Sequence, residues 1–87
     1  MYNNYQEIKN KLGELLEKRF NINFSDNDLV NKSLLGKDIN LKSRDLLYIF
    51  FDVEDTFNIK IEEKYIVSHK FNTFNNICNI ICCELGI

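Results

Sequence analysis

Ser43 heads an apolar run with helical spacing, SRDLLYIFFDVEDTFNIKI, and sits between two cations, Lys42 and Arg44. A hydroxyl there has two uses. It could carry an anionic group such as a phosphodiester, which would lie near the unsatisfied first-turn N–H groups and the positive end of the helix dipole, an arrangement worth about 0.3–1 kcal/mol. It could equally do no more than cap its own helix as the N-cap residue, worth about 1 kcal/mol. No histidine base lies near it in sequence, so Ser43 is not expected to activate itself, and any group it carries would be attached by a separate enzyme.

The remaining chemistry-bearing residues are Cys78, Cys82, Cys83 and the single His69. Zinc sites draw their ligands from paired short spacings on turns, whereas these cysteines fall within one helical pattern, so neither a metal site nor a Cys–His couple is expected. Their odd number and helical spacing also argue against a disulfide scaffold and for a reducing compartment. They read as small core or surface residues. With no catalytic residue assigned, the chain is not expected to be an enzyme.

Composition bounds what can hold Ser43. With 87 residues, no proline, three glycines and 45% hydrophobic residues, the chain fits one domain over residues 1–87 with a single modest core. The opening MYNNYQEIKN lacks the basic start and apolar stretch of a signal peptide, and nothing approaches the roughly 18–20 apolar residues of a membrane span. A cytoplasmic, monomeric protein with no membrane partner is expected. Charge is uneven: residues 1–42 hold seven Lys/Arg against six Asp/Glu, and residues 43–87 hold four against seven. The acids gather at Asp45, Asp52, Glu54, Asp55, Glu62 and Glu63, which disfavours nucleic acid as a partner and favours basic protein surfaces.

Apolar periodicity predicts the elements. Tyr5, Ile8, Leu12, Leu15 and Leu16 mark one stripe of a first helix over Tyr5–Phe20, with Gly13 costing it about 1 kcal/mol relative to alanine. In FSDNDLV, Ser25 and Asp28 form a capping box and Phe24 staples onto Leu29, so a short helical turn begins near Asp26 and buries Leu29, Val30 and Leu34. Gly36 ends it. From Ser43 to Phe57 the stripe Leu46, Ile49, Phe50, Val53 and Phe57 defines the second helix, with Asp45 in its first turn. One or two turns from Glu62 to about Ser68 follow. Thr73 caps a last helix whose buried face is Phe74, Ile77, Cys78, Ile81 and Leu85, and Gly86 stops it. The fold class is all-α, with three long helices, one short helix and a long loop between the first and second.

In order along the chain, Leu35-Gly36, Ser43, Glu54-Asp55-Thr56-Phe57, Ile61, Glu62-Glu63 and Thr73-Phe74 follow the pattern of the acyl carrier proteins, which the sequence resembles over nearly its whole length. The spacing from Ser43 to Phe57 matches that family's distance from its modified serine to its helix-ending phenylalanine. The resemblance implies an acyl carrier protein-like four-helix bundle. It also implies a phosphoprotein in which Ser43 bears 4'-phosphopantetheine, attached by a phosphopantetheinyl transferase, and presents an acyl or aminoacyl thioester to biosynthetic enzymes. More narrowly, RDLLYIFFDVEDTFNI resembles the divergent carrier-related proteins of bacterial peptide-maturation (bacteriocin-type) systems, which implies acyl- or peptide-modifying enzymes as partners.

Two departures accompany the resemblance: Lys42-Ser43-Arg44 stands where the family has Asp-Ser-Leu, and the loop before the serine is longer. Ser33-Leu34 suits the motif locally, but a helix begun there would hold Gly36 in its first turn and misplace Phe57, so Ser43 is the expected attachment site. The departures motivate an alternative: an unmodified interaction module that keeps the fold and docks a partner through its second helix. Either way, Leu47, Tyr48 and Phe51 fall outside the buried stripe. With Arg44, Glu54 and Asp55 they form the expected docking surface. The competing reading packs Phe51 under the long loop, burying area worth about 1.5–3 kcal/mol.

Overall fold

A computed structural model describes residues 4–24, 29–67 and 70–86, and these are all-helical: α1 (Tyr5–Phe20), a single 3-10 turn (Leu29–Asn31), α2 (Ser43–Phe57), α3 (Glu63–Val67) and α4 (Phe74–Leu85). No strand occurs among the described residues. The expected helices are present, with α1 and α2 at the bounds read from the periodicity. The Ser25–Asp28 capping box, the turn start near Asp26, Ser68 and His69 lie outside the described residues.

Local chemistry sets each helix end. The Asn4 side chain accepts from the Glu7 N–H (3.0 Å) and opens α1, while Asn21 closes it in the left-handed region (φ 58°), donating its N–H to the Glu17 carbonyl (2.8 Å). Thr73 Oγ1 accepts from the Asn76 N–H (3.1 Å) at the head of α4, and Gly86 (φ 74°) ends that helix, as expected from the sequence.

The core is the set of stripes turned inward. Ile8, Leu12 and Leu16 of α1 meet Phe74, Ile77, Cys78, Ile80 and Ile81 of α4, and Ile49, Val53 and Phe57 of α2 close the third side. Each such side chain contributes about 1.5–3 kcal/mol on burial. Phe24 stacks face to face on Phe74 (centroids 4.6 Å, 17° between planes), tying the exit of α1 to the start of α4. Val30 and Leu34 are buried and Leu29 half-buried, the role expected of the long loop. Leu46 and Phe50, expected inside, lie half-buried at the rim of the core, and Tyr5 at the head of α1 is exposed.

Candidate functional site at the head and outer face of α2

Backbone hydrogen bonds hold the approach to Ser43. Gly36 accepts from the N–H groups of Ile39 (3.2 Å) and Asn40 (2.6 Å), and the Asn40 backbone turns through the left-handed region (φ 61°). The buried Leu41 then donates its N–H to the Leu34 carbonyl (2.9 Å), and Leu34 donates to the Asn72 carbonyl just before α4 (2.8 Å). The chain is thus fixed two residues ahead of the serine.

Ser43 itself differs from expectation in one respect. The sequence assigns it the N-cap, but Lys42 is the extended N-cap residue (φ −103°, ψ 164°) and Ser43 is the first residue inside α2. The cause is Asp45, whose carboxylate accepts from the Lys42 N–H (2.9 Å), the acidic half of a capping box. Lysine has no acceptor to supply the other half. Capping therefore falls to Asp45, and Ser43 remains exposed. Ser33 is also exposed but heads no helix; its carbonyl accepts from the Gly36 N–H (3.0 Å) in a turn.

The outer face of α2 matches the expected exposure. Leu47, Tyr48 and Phe51 are 56%, 50% and 61% exposed, and Arg44 and Asp55 are exposed beside them. Phe51 is therefore not packed under the loop. Its ring meets that of Phe50 edge-on (5.6 Å), and Phe50 meets Phe71 (5.9 Å), so the exposed ring rests on a chain of aromatics reaching the core.

The acids that the sequence gathers on this face are mostly engaged within the molecule. Asp52 is held by Arg19 of α1 through both carboxylate oxygens, and the Arg19 guanidinium also lies over the Tyr48 ring (5.6 Å). Glu54, expected on the docking surface, is half-buried and accepts from the Ile61 N–H (2.8 Å), anchoring the segment after α2. Glu62 pairs with Lys64 (3.6 Å). Among the described residues, Asp55 is the one carboxylate of α2 without a hydrogen-bond or ion-pair partner. Arg19 was not legible as part of this face, since it acts across 33 positions with no local signal.

The cysteines all belong to α4. Cys78 is buried and its thiol is pushed up to about 12, first by burial and then by the neighbouring Cys82. Cys82 is half-buried and also raised, again chiefly by burial, while Cys83 is exposed. Among the described residues no three His, Cys, Asp or Glu side chains converge as metal ligands, and no helix is long and apolar enough to cross a membrane.

Compared with protein-family models, with curated proteins and with solved structures, the chain matches none.

Proposed function

We propose that this is an acyl carrier-like protein, presenting a thioester-bound acyl or aminoacyl group on 4'-phosphopantetheine at Ser43 to partner biosynthetic enzymes. The observation that carries the reading is the pairing, on one helix, of an exposed hydroxyl in the first turn with an exposed apolar stripe leading away from it. The residues fit the phosphodiester of such an arm. The N–H groups of Ser43 and Arg44 open α2 ahead of the first backbone bond, which the Asp45 N–H makes to the Lys42 carbonyl (2.9 Å), and the exposed Lys42 and Arg44 would balance the charge. When bound, the arm supplies a thiol for the thioester. Ser43 supplies only the hydroxyl, and a phosphopantetheinyl transferase must remove its proton. The resemblance of α2 to carrier-related proteins of bacterial peptide maturation favours acyl- or peptide-modifying enzymes as clients.

Intact mass after co-expression with a broad-specificity phosphopantetheinyl transferase tests this directly. The expected result is one added arm, lost in Ser43→Ala and kept in Ser33→Ala. An unchanged mass under forcing conditions would overturn the carrier reading. It would favour the second one, an unmodified module of the same architecture that docks a partner through α2. The observation behind that alternative is the exposed cation on each side of Ser43, where carrier proteins have an acid and an apolar residue.

A further inference from the structure

The outer stripe of α2 carries opposite charges at its two ends about an apolar middle. At 100° per residue, Arg44, Leu47, Tyr48, Phe51 and Asp55 fall within about 100° of one another around the helix, and Arg44 and Asp55 lie near the centre line at opposite ends. Neither Arg44 nor Asp55 has an ion-pair partner among the described residues, whereas the flanking carboxylates of Asp52 and Glu54 are taken by Arg19 and by the Ile61 N–H. The stripe therefore presents a cation, three exposed apolar side chains and an anion, over roughly 16 Å of helix.

We infer that a second copy of this chain covers that stripe, with the two α2 helices packed antiparallel about a two-fold axis between Ile49 and Phe50. In that register Arg44 of one copy faces Asp55 of the other and Tyr48 faces Phe51, while Leu47 lies opposite Asp52, whose carboxylate is already held by Arg19. An isologous contact requires a self-complementary surface, and this one is complementary in charge and in apolar content. Antiparallel helices also set their macrodipoles in the favourable sense. An extended polyanion such as a nucleic acid or an anionic membrane would gain at Arg44 but be repelled at Asp55, so it fits less well.

A single helix face is small beside the roughly 800 Å² per partner of a standard interface, so the dimer is weak and reversible. In place of the monomer expected from sequence, the chain then exchanges between a monomer with α2 exposed and a dimer with α2 covered. Because the same stripe is the one proposed to dock client enzymes, client and second copy compete for it. Ser43 lies off the stripe, so the inference stands whether or not Ser43 is modified.

Sedimentation equilibrium from about 10 μM to about 1 mM, spanning the range expected of weak interfaces, reads the association. The expected mass rises toward that of two copies, less steeply in high salt, with NMR dilution shifts confined to the stripe. Phe51→Ala should weaken association by about tenfold or more, as loss of a central aromatic does. Arg44→Asp and Asp55→Arg should each abolish it, and the double exchange should restore it. Both exchanges place charge as the α2 dipole prefers, so lost association would not reflect a lost helix. A monomeric mass throughout, dilution shifts on another face, or a double exchange that fails to restore the dimer would each overturn the inference. Ser43→Ala should leave association unchanged even if no arm is ever attached.

Discussion

Arg19 near the end of α1 grips Asp52 in the middle of α2 at two points while its guanidinium covers the Tyr48 ring. This contact fixes how the outer face of α2 is presented, because it neutralises the acid on one flank and orients one of the three exposed apolar side chains. Partly exposed ion pairs contribute little, but a two-point geometry with an added cation–π contact lies at the upper end of the range. Arg19→Ala should cost about 1 kcal/mol, a fall in Tm of about 4–8 °C for a domain of this size. Thermal melts of Arg19→Ala, Asp52→Ala and the double variant should give coupling that shrinks in high salt.

Capping by Asp45 separates the structural and chemical roles at the head of α2. Asp45→Ala removes the acceptor for the Lys42 N–H and should destabilise by about 1 kcal/mol. Ser43→Ala should change stability by less than about 0.5 kcal/mol, since an exposed first-turn serine that caps nothing is readily replaced. Urea denaturation of the two variants checks the order. A larger loss in Ser43→Ala would return the capping role to the serine.

What could be read from sequence followed the range of each interaction. Helices α1, α2 and α4 were legible because their apolar period, Thr73 and Gly86 act within a few residues, whereas the closing role of Asn21 was not. The exposure of Leu47, Tyr48 and Phe51 followed from the same period. The displaced cap was missed because Ser43 and Lys42 differ by one residue, and an acid at position 45 serves either start. The charge of the outer face was misjudged for another reason. Whether Asp52 or Glu54 faces a partner depends on Arg19 and the Ile61 N–H, and long-range pairing leaves no mark in periodicity. The loop was legible as a burier of Leu34 but not as the strut, through the Asn72 carbonyl, that fixes Ser43.

Gly13 offers a stabilising change within α1. A methyl group there would meet the Phe74 ring at 3.8 Å, ordinary van der Waals contact, in a helix interior where glycine is costly. Gly13→Ala should raise stability by about 0.5–1 kcal/mol, seen as a higher Tm with the same circular dichroism spectrum. A lower Tm would mean that the α1–α4 packing cannot accept even that contact.

The buried thiol of Cys78 makes the fold sensitive to alkali. Below the ordinary thiol pKa both the folded and unfolded chains hold the proton, and pH has no effect through this group. Above it the unfolded chain releases the proton while the folded chain keeps it until about 12, so stability should fall as pH rises, by up to about 1.4 kcal/mol per unit. Cys82 and Tyr5 are shifted upward as well, chiefly by burial, and add in the same direction; a Tyr5 side-chain hydrogen bond and then the Lys9 charge pull the Cys78 thiol the other way without offsetting burial. Chemical denaturation under reducing conditions at pH 7, 9 and 10 should show this decline, and Cys78→Ala should flatten it. In the folded protein a thiol reagent should label exposed Cys83 first and Cys78 only on unfolding, because the attacking species is the thiolate. Equal labelling of Cys78 and Cys83 under native conditions would show that α4 opens far more readily than its packing against α1 implies.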